Sequence, residues 1–363
     1  MLCMQPTDSM MDECARAEAA TKLDSLWRRG REFLGSEYAI LGGAMSWLSD
    51  RHLVSAISNA GGFGVIACGS LGPDDLGAEI SATAELTKRP FGVNLITMHP
   101  ELTKLIDTCA AHNVSHVALA GGRASAAAIS RLKDAGIKVL AFAPALALAR
   151  RLVRNGVDAL VIEGMEAGGH IGPVSTGVLA QEILPFIRDV PVFIAGGIGR
   201  GAAIAMYLGA GASGVQMGTR FVGATECIAH PKFKQAFFRG HARDAVLSVQ
   251  LDERFPVIPV RALANDGTRL FMEKQREVIA GVNSGALSQI DAQLAIEKFW
   301  AGALRRAAID GDVELGSVMA GQSVGLVTNE EPTKDIIVHL IEEAVEALDM
   351  LAAPASSISA PPI

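Results

Sequence analysis

Aromatic residues are scarce in this 363-residue chain, at 5%, and cysteines number only five. The cysteines, at positions 3, 14, 68, 109 and 227, are odd in number and widely scattered. They fit neither a disulfide framework nor zinc-ligand spacing, which points to a reducing, cytoplasmic compartment. Charge is modest at 20%, with a formal net charge of -7 and a pI near 5.7. A general nucleic-acid binder would need a basic face, so that class is excluded. No stretch reaches the ~18 uninterrupted apolar residues of a membrane span. The first 18 residues carry Asp8, Asp12 and Glu13 and do not read as a secretory signal.

Apolar residues make up half the chain, and glycines number 38. The hydrophobic half excludes a disordered chain. Eight short runs rich in Val, Ile and Leu recur at Tyr38–Gly43, Phe63–Cys68, Gly92–Ile96, His116–Gly121, Lys138–Pro144, Ala159–Glu163, Pro191–Gly197 and Gly214–Phe221. Between them lie segments with helical spacing, such as Asp50–Ala60, Ala124–Gly136 and Arg200–Gly211. Continuous apolar strands alternating with helices imply a parallel sheet covered on both faces. Eight such units suit an α/β fold of the (β/α)8 TIM-barrel type; a doubly wound open sheet is the alternative.

The expected organisation is an N-terminal extension over residues 1–30 and a barrel over 31–225. A mainly helical lid follows over 226–333, a C-terminal helix packing on the barrel over 334–351, and a disordered tail over 352–363.

Function in such a barrel sits on the loops at the C-terminal ends of its strands. Glycines gather there. Gly42 and Gly43 follow the first run, Gly164, Gly168 and Gly169 the sixth, Gly196 and Gly197 the seventh, and Gly218 with Thr219 the eighth. A tight turn explains any one pair. Four groups at one end suit close approach of backbone to a ligand, with N–H groups free to meet phosphate oxygens. The stretch Gly197-Ile-Gly-Arg-Gly-Ala202 matches a dinucleotide fingerprint, but no acid follows at the end of the next strand, and that reading fails. Asn94, Gln216 and Glu163 are polar groups in otherwise apolar runs. Each amide alone reads equally as a satisfied core group; together the three would hold a flat heteroaromatic ring by its edge.

His170, after Gly168-Gly169, is the sharpest candidate for moving a proton near neutral pH. His112 and His116 lack a metal motif, so no metal site is expected. Cys227 has no visible activating neighbour.

Six segments in order complete the pattern: Ile40-Leu-Gly-Gly-Ala-Met-Ser-Trp47, Asn59-Ala-Gly-Gly-Phe-Gly64, Pro90-Phe-Gly-Val-Asn94, Glu163-Gly-Met-Glu-Ala-Gly-Gly-His170, Ala195-Gly-Gly-Ile198 and Gln216-Met-Gly-Thr-Arg-Phe221. Over residues 38–351 the chain resembles the nitronate monooxygenase (2-nitropropane dioxygenase) family, which includes FMN-dependent enoyl-ACP reductases. The resemblance implies an FMN-binding barrel with Gly43, Ala44 and Met45 against the flavin. It implies polar contacts from Asn94, Glu163 and Gln216, and close backbone approach at Gly168 and Gly169. Gly196, Gly197, Gly218 and Thr219 would hold the phosphate, and His170 would be the catalytic residue.

The implied activity is oxidation of an alkyl nitronate, a small-molecule substrate, with O2. The alternatives are NAD(P)H-dependent reduction of an enoyl thioester or quinone, and a non-catalytic flavin-binding barrel. Glu163 and the segment Gly311–Gln322 resemble the reductase branch. In that case Lys232, Lys234, Arg239, His241 and Arg243 would dock an acyl carrier protein, unless they form a solvated helix face. A homodimer stays open.

Overall fold

The structure, a computed structural model, describes residues 8–252 and 258–352, without the side chains of residues 8–14. The strands are β1 (Ile40–Gly42), β2 (Val65–Ala67), β3 (Gly92–Ile96), β4 (His116–Ala120), β5 (Lys138–Phe142), β6 (Ala159–Glu163), β7 (Gly169–His170), β8 (Val192–Ala195), β9 (Gly214–Met217), β10 (Ala245–Leu247) and β11 (Val260–Leu263). The helices are α1 (Asp8–Leu26), α2 (Arg28–Leu34), α3 (Arg51–Asn59), α4 (Pro73–Leu86), α5 (Leu102–Ala111), α6 (Ala126–Asp134), α7 (Leu146–Arg154), α8 (Thr176–Ile183), α9 (Gly201–Gly209), α10 (Pro231–Arg239), α11 (Gly267–Asn283), α12 (Gln289–Ala308) and α13 (Thr333–Ala352).

Eight strands run parallel in the order β1-β9-β8-β6-β5-β4-β3-β2. The two ends of this sheet meet. Leu41 bridges Phe63, Gly42 N donates to Phe63 O at 2.9 Å, and Phe63 N donates to Ile40 O at 2.8 Å. The sheet is therefore a closed barrel, and the open doubly wound alternative is excluded. Apolar runs make this possible because both faces of each strand are buried. Ile162, Ile194, Val215 and Ile40 lie in register on four neighbouring strands and are fully enclosed.

Local chemistry sets the helices. Asp50 caps α3 by accepting from His52 N and Leu53 N, and Ser125 caps α6 by accepting from Ala128 N. The ring is completed late in the chain, where α13 packs between α9 and α3 as the helix that β9 lacks. The expected tail lies, from residue 353 on, outside the described residues.

Two features depart from the sequence expectations. The N-terminal segment is integral, with α1 packing on α13 and α9 and with Leu23 and Trp27 buried. After it, α2 plugs the lower end of the barrel. Phe33 O accepts from His116 Nε2 at 2.8 Å and Lys138 Nζ at 2.7 Å. Burial pushes the His116 imidazole down to about 4, so it is a neutral core group.

The segment between β9 and α13 also contains strands. β10, β11 and β7 form an antiparallel sheet, and α11 and α12 pack on it around a separate small core that includes Phe271, Val278, Ile296 and Trp300. The apolar run at 214–221 ends as a strand at Met217, and Thr219–Gly223 turns into a 3-10 helix. Among the described residues no helix is long and apolar enough to cross a membrane, and no cluster could hold a metal ion.

Candidate active site

The C-terminal mouth of the barrel gathers the polar groups that its strands carry. Glu163 and Gln216 flank Ala195 in register on β6, β8 and β9, so their side chains leave the same side of the sheet. Asn94 stands on β3, three strands around the ring from each of them. None of the three side chains makes a hydrogen bond among the described residues, although buried polar groups normally find partners. Glu163 keeps part of its surface at the mouth, yet protein surrounds it on every other side. Desolvation by burial, with no cation beside it, pushes its pKa up to about 8. At neutral pH its carboxyl is therefore mainly protonated and is a donor as well as an acceptor.

Backbone frames these groups. Gly43 N donates to Met217 O at 2.8 Å, and a Cβ at Gly43 would meet Gln216 Cγ and Gly218 N at 3.5 Å. Ser49 braces this first loop, its Oγ accepting from Met45 N at 2.9 Å and donating to Gly43 O at 3.1 Å. Met45 in turn lies against Gly218. The loop Gly43-Ala44-Met45 and the Gly218-Thr219 turn thus form one wall.

Beside them, at the end of the neighbouring β8, Gly196 and Gly197 adopt φ of +93° and +75°, conformations that glycine reaches without strain. Gly168 has no room for a side chain: a Cβ would sit 2.6 Å from Gly321 N. Gly321 N donates to Thr219 Oγ1 at 3.0 Å, which ties the segment before α13 to the mouth.

His170 lies in β7, opposite Val260 of β11, with Gly169 opposite Arg261. Its Nε2 is 3.2 Å from Glu297 Oε2 on α12. The angle makes no hydrogen bond, and the nitrogen is buried without another partner.

Three residues with structural consequence here lie outside the predicted site. Glu166 accepts from Thr176 N at 2.9 Å and Oγ1 at 2.8 Å, and Thr176 Oγ1 also reaches Gly196 O at 3.1 Å. Arg261 is buried, and its Nε donates to Met165 O at 2.8 Å while Nη1 donates to Ala245 O. Burial lowers its pKa, with Glu166 opposing. Glu297 is the third. Signals for them were weak. Thr176 follows a Ser at a helix start, whereas nothing local marks Arg261 or Glu297.

Other candidates fall away. Burial pushes the Cys227 thiol up to about 11, which leaves no thiolate to act as a nucleophile. In the proposed carrier-docking face, Lys234 is buried, its Nζ donating to Ala224 O at 2.7 Å and to Glu330 Oε1. That face therefore loses one of its charges to an internal pair.

Comparison with known proteins identifies the family. The chain is 28% identical over 347 residues to (3aS,4S,5R,7aS)-5-hydroxy-7a-methyl-1-oxo-octahydro-1H-indene-4-carboxyl-CoA dehydrogenase of Rhodococcus jostii, covering 89% of this chain and 97% of that one. It is 27% identical over 369 residues to a probable nitronate monooxygenase of Staphylococcus aureus, covering 88% and 98%. Among solved structures, FabK from Thermotoga maritima superposes with a TM-score of 0.80 at 36% identity, over 89% of this chain and 97% of that one. A sequence model of the family described as nitronate monooxygenase matches residues 29–120 and 102–343. This chain belongs to the nitronate monooxygenase family.

Proposed function

We propose that the protein is an FMN-dependent oxidoreductase that oxidises alkyl nitronates with O2. The observation that carries this reading is His170, backed at 3.2 Å by Glu297, beside a mouth whose Asn94, Glu163 and Gln216 side chains have no protein partner. Those three groups, with the Gly43–Met45 wall, fit the edge and face of a flavin ring. The backbone at Gly168 and Gly169 would approach its ring, and the backbone at Gly196, Gly197, Gly218 and Thr219 suits its phosphate. FMN supplies the two-electron exchange between substrate and O2 when bound.

The protein's own work is binding, orientation and proton handling. Glu163, held protonated, would donate a hydrogen bond to the cofactor without placing a charge beside it. His170 accepts the α-proton of a neutral nitroalkane, or in its protonated form holds the nitro oxygens of the anion. Glu297, whose carboxylate stands 3.2 Å from His170 Nε2, would stabilise the imidazolium once that proton is taken up. We place the enzyme in the cytoplasm, in keeping with its buried, unpaired Cys68, Cys109 and Cys227.

A second reading, NAD(P)H-dependent reduction of an enoyl thioester, is favoured by Glu163 and by the 36% identity to FabK. The burial of Lys234 weakens the acidic-carrier face this reading calls for. Anaerobic mixing separates the two. Bleaching of the holoenzyme's flavin spectrum by propyl nitronate and not by NADH supports nitronate oxidation. Bleaching by NADH, with reoxidation by crotonyl thioester, overturns it.

A further inference from the structure

The first loop of the mouth, from Gly43 to Ser49, closes on one side chain. Ser49 is buried, only 5% exposed, and its carbonyl accepts from Ala67 N of β2 at 3.1 Å, which fixes it to the barrel. Its Oγ accepts from Met45 N at 2.9 Å and donates to Gly43 O at 3.1 Å. Its backbone N donates to Met45 O at 2.8 Å. A hydroxyl is the shortest side-chain group able to accept and donate at once.

Within the wall Gly43-Ala44-Met45, these bonds leave one residue with a free backbone. Gly43 N donates to Met217 O at 2.8 Å, and Gly43 O, Met45 N and Met45 O are all taken up by Leu48 and Ser49. The N–H and C=O of Ala44 have no partner among the described residues, although Ala44 is half-buried. Backbone groups inside a protein are nearly always paired. Gln216 stands beside this stretch: it is the register partner of Leu41, and a Cβ at Gly43 would meet its Cγ at 3.5 Å. Two unpartnered amides, the Ala44 peptide and the Gln216 side chain, therefore belong to one wall.

We propose that Ser49 is a positioning residue for the bound flavin: by occupying Gly43 O and Met45 N, its hydroxyl leaves the Ala44 N–H as the single backbone donor the wall offers to the ring edge. A donor there favours the electron-rich reduced ring over the oxidised one, so Ser49, acting through Ala44, raises the flavin's midpoint potential. The inference rests on the reading of the mouth as the FMN site.

Titration of FMN into the flavin-free protein labelled with nitrogen-15 alanine tests the donor in the wild-type chain. The Ala44 amide proton, identified by its absence from Ala44→Gly, should move downfield and saturate with flavin uptake. No movement, or an upfield shift from a ring stacked over the amide, overturns the proposal.

The role of Ser49 is read from the midpoint potential of the loaded enzyme against a reference dye. Ser49→Ala should be about 20 mV more negative than wild type, the two-electron equivalent of an about fivefold loss expected for one weakened hydrogen bond. Ser55→Ala removes a hydroxyl of like burial, 6% exposed, that donates to His52 O at 3.1 Å, and should leave the potential unchanged. Equal potentials in wild type and Ser49→Ala, or the same shift in Ser55→Ala, overturn the proposal. If Ser49→Ala does not fold or hold flavin, Ser49→Cys, whose thiol is a weak donor and acceptor, carries the same comparison. A protein that takes up no FMN overturns the reading of the mouth itself; uptake with an unmoved Ala44 amide overturns this inference alone.

Discussion

Glu163→Gln is expected to stabilise the FMN-free protein, and to do so more as pH rises. The ordinary Glu pKa of 4.5 is pushed up to about 8 by burial alone. Between those values the folded protein holds a proton on Glu163 that the unfolded chain has released. Stability falls with pH wherever the folded state binds more protons, so the folded protein loses about 1.4 kcal/mol per pH unit across this window. The stabilisation by the neutral form is complete below pH 4.5 and is lost as pH climbs through about 8. Over the full window the upper bound is about 5 kcal/mol. Part of the carboxyl meets solvent at the mouth, and screening there reduces the expected effect to roughly half.

Glutamine keeps the shape and a donor but cannot ionise. Denaturant unfolding of FMN-free wild type and Glu163→Gln at pH 5, 7 and 9 should give nearly equal stabilities at pH 5. At pH 9 the variant should be ahead by about 2–3 kcal/mol. Parallel pH profiles for the two proteins would refute the burial argument. So would a variant that is less stable at every pH, since that would mean the ionised carboxylate has a favourable partner.

Three further outcomes are expected. His170→Ala should retain bound flavin and lose about 10²–10⁴ in turnover, with Glu297→Gln causing a smaller loss; steady-state rates matched to the flavin absorbance check both, and unchanged turnover in His170→Ala removes its assigned role. Gly168→Ala should lower flavin content on purification, because its Cβ must displace the backbone at Gly321, 2.6 Å away; full occupancy would show that this packing is not needed for binding. Arg261→Leu should destabilise the fold by about 2–4 kcal/mol, because the Met165 and Ala245 carbonyls lose their charged donor inside protein; denaturant midpoints with an unchanged m-value would measure it.

The barrel was legible because its signal is local. Each apolar run is a strand buried on both faces, and each polar residue inside such a run is conspicuous. Asn94, Glu163 and Gln216 stand out in five-residue neighbourhoods, and the glycines mark where those neighbourhoods end. The antiparallel sheet left no such trace. β7 is two residues long, and its partner Val260 lies 90 positions further on. Arg261, inside Pro259-Val-Arg-Ala-Leu263, reads as a surface charge until the sheet wraps it under Met165 and Ala245. Glu297 belongs to a helix that also carries Asp291, and only tertiary packing selects which carboxylate meets His170. Phe33 and α2 escaped for the same reason: a plug is defined by the hole it fills.

Helix α12 connects these non-local features. Glu297, Ala301 and Arg305 recur every four residues along one of its faces. Glu297 reaches His170, Ala301 O accepts from Trp47 Nε1 at 3.1 Å, and the Arg305 guanidinium stands 5.8 Å from the Trp47 ring. Trp47 has a φ of +69°, a left-handed conformation that costs a bulky residue about 1–2 kcal/mol and persists only where surroundings enforce it. It lies two residues beyond Met45, at the end of the wall proposed to face the flavin. A displacement of α12 therefore acts on both sides of the mouth together, loosening Trp47 on one and withdrawing Glu297 from His170 on the other.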